Sequence, residues 1–209
     1  MWIIPSRSRP HNVARLAEAC RSTGTTTPGL VLVDNDDPLH DAYLAIDLPP
    51  GWCVITGVRA GLAELYNHVF RVFSDLEWYG IFADDVVPES PAWDTVLIEA
   101  AGLDGLAYGD DGMNGEAHAT HFAVGGDLVR EVGWLAFPGL HRLYIDTIWT
   151  ELARARGVLR YQPEIKIIHH HPWNRMALMD ATYRKLSAKV DRILYDAWKT
   201  GNNEKEKRS

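Results

Sequence analysis

Residues 78–94 read "WYGIFADDVVPESPAWD". The first five residues are apolar, aromatic or glycine, as in a strand bound for a sheet. Two carboxylates, Asp84 and Asp85, then stand side by side, and the chain turns. Adjacent negative charges repel each other and resist burial. A buried run that ends in them therefore calls for a positive partner: an arginine, a helix terminus or a metal ion.

Outward from this stretch the pattern alternates. "MWIIPS" is a short apolar run. "HNVARLAEACRSTG" places Val13, Leu16, Ala17 and Cys20 on one helical face, with Gly24 as a stop. "GLVLVDND" and "WCVITG" read as strands. "GLAELYNHVFRVFS" carries Leu62, Leu65, Tyr66, Val69, Phe70 and Phe73 as one stripe. The order up to residue 85 is β-α-β-β-α-β, which predicts an α/β sheet that is mainly parallel at its core. Beyond it, "GLAYGDD" and "ATHFAVGGDLVREVG" supply strand, loop and short helix. "LYIDTIWTELARARG" reads as a helix closed by Gly157, and "LRYQPEIKIIHHH" as a strand. "DATYRKLSAKVDRILYDAW" reads as an amphipathic helix with Leu186, Val190, Ile193, Leu194 and Ala197 in register. The expectation is a single domain over residues 1–200, with a polar, frayed tail at 201–209.

Bulk properties narrow the function classes. The chain has 209 residues, 46% of them hydrophobic, with eight Trp, which suits one packed core rather than disorder. A net charge of −7 argues against non-specific nucleic-acid binding. Cys20 and Cys53 have no metal-type spacing and read as reduced core thiols. No run reaches the roughly 20 apolar residues of a membrane span. The expectation is a soluble, cytoplasmic protein with no membrane partner; oligomeric state is not legible.

In an open α/β sheet, ligands bind outside the carboxyl ends of the strands. Four runs end in polar residues there. The first ends in Pro5, Ser6, Arg7 and Arg9, and the second in Asp34, Asn35 and Asp36. The third ends in Thr56 and Arg59, and the fourth in Asp84 and Asp85. Arg7, Arg9 and Arg59 suit phosphate oxygens. Asp34 suits a base or ribose. The acid pair suits a hard divalent cation bridging phosphates. Asp is equally a common cap and turn residue, and that reading is open for Asp34–Asp37. "IKIIHHHPW" ends another apolar run, with alternation putting His169 and His171 on one face and His170 on the other. Imidazole suits Mn or Zn better than Mg or Ca.

These pieces, in order, carry a likeness. "IIPSRSRP", "LVDND", "GLAELYNHVF", "IFADDVVPESPAWD", "LAYGDDGMN", "GLHRLYIDTIW" and "YQPEIKIIHHHPW" span most of residues 1–173. Together they resemble GT-A-fold nucleotide-sugar glycosyltransferases, in particular small family-2-like proteins of bacteriophages. The resemblance implies a Rossmann-like open twisted sheet flanked by helices, a nucleotide-sugar donor, UDP-linked, and Mn2+ or Mg2+. The family's Asp-any-Asp metal motif falls on Ala83, Asp84 and Asp85, so its first acid is missing. Its last acid points to Asp85 as metal ligand, with Asp84 near the ribose. His169 and His171 fall where a late histidine approaches the metal. Pro5, Ser6, Arg7, Arg9, Asp34 and Arg59 fall on the donor side. Asp146, early in a late helix, falls where the catalytic base stands; it is equally a helix N-cap. Asp110, Asp111 and His141 fall toward the acceptor, though Asp-Asp-Gly is also a turn sequence. The phage likeness suggests a hydroxymethylpyrimidine in DNA as acceptor, with Arg130, Arg142, Arg154, Arg156 and Arg160 as the local basic patch. A protein, glycan or small-molecule acceptor stays open. So do two other functions. A nucleotidyltransferase would show a Gly-rich, Lys-bearing loop after the first strand, and "PSRSRPHN" has neither. A non-catalytic nucleotide- or sugar-binding module is kept open by Ala83.

Overall fold

The computed structural model describes residues 1–177 and 189–206. Eight strands form one curled sheet: β1 (Trp2–Ser6), β2 (Gly29–Asp34), β3 (Trp52–Gly57), β4 (Trp78–Ile81), β5 (Val86–Pro88), β6 (Leu106–Asp110), β7 (Phe122–Gly125) and β8 (Leu159–His169). Their order is β3-β2-β1-β4-β7-β6-β8-β5. The β3-β2-β1-β4 block is parallel throughout. β7 then runs antiparallel to both β4 and β6, β8 lies parallel to β6, and β5 closes antiparallel on β8. This is the expected α/β class: a mainly parallel open sheet with helices on both faces.

The strand pattern explains the two faces. Ile3, Leu30 and Leu32 point to one side, where α3 (Leu62–Val72), α5 (Gly126–Val132) and α6 (Ile145–Ala155) pack. Trp2, Ile4, Val31 and Val33 point to the other, against α1 (Pro10–Ser22) and α4 (Trp93–Ala101). Sheets covered on both faces are built from such near-continuous apolar runs. The Trp2 ring packs at a tilt, with centroids 4.6–5.3 Å from those of Trp78, Phe82 and Trp93. Gly80 makes this possible: a Cβ there would lie 2.0 Å from the Trp2 ring.

Four local readings change. A short helix α2 (His40–Leu44) interrupts the expected β-β step, and its Tyr43 is fully buried. The acid pair leads into a short strand, β5, and then through the turn at residues 89–92 into α4, neither of which is among the expected elements. Cys20 is buried as expected, but Cys53 is exposed, because β3 is the sheet's edge. The last helix, α7 (Lys189–Glu206), runs into the stretch expected to fray. It buries a different face from the one expected. Asp191, Leu194, Tyr195 and Trp198 turn inward while Val190 and Ile193 are exposed. Leu186 lies outside the described residues.

Candidate active site

The carboxyl ends of β1, β2 and β4 and the loop after β3 converge on one cleft of about 380 Å3. Pro5, Ser6, Arg7, Arg9, Asp34, Arg59, Asp84 and Asp85 all line it, with Tyr66, His141 and Arg142 on the far wall. The volume is in the range of about 300–1,000 Å3 typical of small-molecule sites.

The acid pair has its positive partner. Asp84 and Asp85 are each 5% exposed. The Arg9 guanidinium donates through Nη1 to Asp84 Oδ1 and Asp85 Oδ2, both at 3.3 Å. Arg9 is the N-cap of α1, with Pro10 at the first helical position, so helix entry delivers its side chain beneath the pair. Asn12, one turn on, donates to Asp84 Oδ1 at 3.4 Å. A proton chain runs alongside: Tyr43 to Ser6 at 2.9 Å, and Ser6 to Asp84 Oδ2 at 2.5 Å. Burial, with Asp85's charge second, pushes Asp84 up to about 6. Burial likewise raises Tyr43 to about 12, so its hydroxyl keeps its proton. Arg9, expected to face phosphate, lines the cleft and also pairs with both acids.

The β1 loop is set by the acids after β2. Arg7 Nη1 bonds Asp34 Oδ2 at 2.6 Å and Asp36 Oδ1 at 2.5 Å. Ser8 has φ 57°, a left-handed conformation costing a non-glycine residue about 1–2 kcal/mol. Asp37 Oδ2 accepts its N–H at 2.6 Å. The 34–37 acids thus fix the loop as turn residues do, while Arg7 and Asp34 still face the cleft.

Behind Asp85 stands a group of imidazoles. His169 Nε2 lies 3.4 Å from Asp85 Oδ1. The His169 ring packs 5.2 Å from His171 and 4.9 Å from His121. His121 escaped sequence reading; a lone His opening a short strand carries no signal. Burial drives it down to about 3, so it is neutral. Its Nε2 and His169 Nδ1 have no hydrogen-bond partner among the described residues. As a test for a divalent ion, Asp85 Oδ1 and His169 Nε2 are an anionic oxygen and an imidazole nitrogen 3.4 Å apart, a pair manganese accepts; Asp85 lines the cleft, while His169 and His171 stand behind it. Among the described residues no three such side chains converge. The chain therefore offers part of a coordination shell, leaving the rest to a ligand's oxygens and water.

Asp146 lies in the first turn of α6 and does not line the cleft. Its Oδ2 is 3.1 Å from His118 Nε2 and its Oδ1 accepts the Thr147 N–H at 2.8 Å. Burial opposes it, but the His118 bond holds Asp146 below the usual carboxylate range. His118, also missed in the sequence, is raised by the same contact against the effect of burial. Asp111 spends both oxygens on its own turn, accepting from the Met113 and Asn114 N–H groups, the Asn114 amide and Thr120. Burial works against it, yet these bonds hold it at about 2. Asp110 pairs with Lys166 at 3.3 Å. Of the acceptor-side expectations, only His141 reaches the cleft. Arg130, Arg154, Arg156 and Arg160 each bond their own chain's carbonyls or acids.

No family model and no curated protein matches the chain. Solved structures do. A mannosyltransferase from Pyrobaculum calidifontis, in complex with GDP-Man and Mn2+, superposes with TM-score 0.63 at 12% identity. It covers 80% of this chain, which spans 55% of that one. A Bacillus anthracis protein assigned as a glucose-1-phosphate thymidylyltransferase, in complex with a sucrose, gives 0.56 at 11% identity, covering 89% and 96%. A Desulfovibrio desulfuricans protein assigned as a nucleotide-diphospho-sugar transferase gives 0.52 at 9%, covering 88% and 91%. The fold is thus the one shared by nucleotide-diphospho-sugar transferases. At these identities the likeness is one of fold.

Proposed function

We propose that the chain is a glycosyltransferase that moves a sugar from a nucleotide-sugar donor, UDP-linked, to a hydroxyl acceptor. One observation carries the reading. Three parallel strand ends and the loop after β3 deliver arginines, Asp34 and the acid pair into a single cleft. Arg7 and Asp34 would hold base and ribose; Arg59 and Arg142 would meet the diphosphate. Asp85 and His169 would hold Mn2+ or Mg2+, which when bound neutralises charge growing on the leaving diphosphate. Asp84, with Ser6 and Arg9 around it, keeps Asp85 oriented and carries the ribose contact. Asp146 would take the acceptor's proton, assisted by His118.

A hydroxymethylpyrimidine in DNA stays the acceptor to try first, although Arg130, Arg154, Arg156 and Arg160 of its expected basic patch are bonded within the chain and Arg142 lines the cleft. A nucleotidyltransferase is the second reading, because the thymidylyltransferase-like fold also superposes. The loop after β1, without glycine or lysine, favours the first. A thermal-shift panel of UDP-, GDP- and CMP-sugars with and without Mn2+ tests donor binding, since a native-state ligand raises the melting temperature. Release of the nucleotide is expected: a nucleoside diphosphate from a UDP- or GDP-sugar, or CMP from a CMP-sugar. Pyrophosphate release from a nucleoside triphosphate and a sugar 1-phosphate would establish the second reading instead. Binding with neither reaction would leave a non-catalytic module.

A further inference from the structure

His141 and Arg142, which line the far wall of the cleft with Tyr66, belong to the segment 141–143, which lies in no helix or strand. Three consecutive main-chain N–H groups in this segment point the same way. All three end on one side chain, Asp191 of α7. The His141 N–H reaches Oδ1 at 2.8 Å. The Arg142 and Leu143 N–H groups reach Oδ2 at 2.9 and 2.8 Å. Asp191 is 1% exposed and does not itself line the cleft. From the opposite side, the Ala63 N–H of α3 donates to the His141 carbonyl at 3.3 Å. The segment is therefore held between two helices that come from distant parts of the chain.

The next residue extends the same grip. Tyr144 has φ 67° and precedes α6, the helix that carries Asp146. Its ring stacks on Tyr195 at 4.8 Å and 8°. Tyr195 lies one turn beyond Asp191 on α7 and donates to Glu151 of α6 at 2.6 Å. One face of α7 thus fixes both the cleft wall and the entry to α6.

A run of successive N–H groups is an anion receptor, and a carboxylate has acceptor sites for all three. We propose that Asp191 is a positioning residue: its carboxylate fills the 141–143 main-chain receptor and so holds His141 and Arg142 at the geometry the donor diphosphate needs. The catalytic consequence rests on the transferase reading; the grip on the segment does not. Asn replaces the carboxylate only in part, because whichever way its amide turns, the NH2 group sets a donor against at least one of the three N–H groups.

The test compares wild type, D191N and D191A by amide hydrogen exchange at residues 141–143 and by donor KM and kcat. Expected are faster exchange confined to this segment and a donor KM raised about tenfold, with kcat changed less, as one charge-assisted bond set is lost. Added acetate should lower the KM of D191A back toward wild type and leave D191N unmoved, since only the alanine leaves room in the receptor. Unchanged exchange, or unchanged donor KM in either folded variant, overturns the proposal. Failure of both variants to fold overturns it too, by reading Asp191 as a fold-holding residue alone. Should wild type bind no nucleotide sugar, the transferase reading falls, and exchange in D191N still decides the grip.

Discussion

The Ser6 hydroxyl donates to Asp84 Oδ2 across 2.5 Å, at a carboxyl that burial and Asp85 raise to about 6. Below about 6, the raised value lets the folded chain keep a proton here that the unfolded chain releases. Between the ordinary carboxylate value and about 6, stability contributed by this proton is lost as pH rises. In chelator-containing buffer, Asp84→Asn is expected to flatten the decline in stability between pH 4 and 6. At pH 8 it should be more stable than wild type by on the order of 1–2 kcal/mol, or about 3–6 °C in Tm. Thermal denaturation across pH checks this, and a parallel pH curve would assign the decline to another group.

Arg9 occupies the position of counter-cation to both acids. Removing one partner of a buried ion set typically costs about 3–5 kcal/mol. Arg9→Met should therefore melt well below wild type. A divalent cation can supply the missing positive charge, so Mn2+ should raise the melting temperature of Arg9→Met more than that of wild type. An equal rise in both proteins would separate the cation's position from that of the guanidinium.

Asp85 is expected to serve the cation rather than the fold. Asp85→Ala should fold, keep metal-free nucleotide affinity within about threefold, and lose the Mn2+ enhancement and transfer, a loss of about a hundredfold or more. Calorimetric titration of nucleoside diphosphate with and without Mn2+ measures it. Retained Mn2+ enhancement would remove Asp85 from the metal site.

The mainly parallel α/β class, and the gathering of polar strand ends in one cleft, were legible because parallel strands impose two simple signals: apolar runs, and polar residues where the runs stop. Ser6, Arg7, Asp34, Arg59 and Asp84 all follow from that rule. Arg9 was legible as a cation but not as the partner of the acids, since sequence does not say that the turn into α1 folds its side chain under β4. His118 and His121 were invisible because single histidines around a short strand have no period and no motif. The α7 face was misread for a physical reason. Asp191 counts as polar in any amphipathic pattern, yet three N–H groups more than forty residues away make its burial favourable. Asp111 was legible as a turn, and its bonds are those of a turn.

The His118–Asp146 pair gives the last expectation. The 3.1 Å contact raises His118, against burial, and lowers Asp146. Asp111 adds to the rise of His118 and Arg154 opposes it, while the Thr147 N–H helps to lower Asp146. A raised histidine contributes stability below its unfolded value near 6.5 that is lost as pH rises through the folded value. While His118 is protonated, Asp146 is held in an ion pair and is a poor base. Transfer is therefore expected to rise with pH through a value above 6.5. His118→Ala should move that rise to lower pH, keeping the plateau rate within about tenfold of wild type. Asp146→Asn should bind donor normally and lose transfer at every pH by about a hundredfold or more. A pH–rate profile of kcat for the three proteins measures all of this. An unshifted rise in His118→Ala would free the profile from the pair, and transfer by Asp146→Asn within about tenfold of wild type would put the base elsewhere.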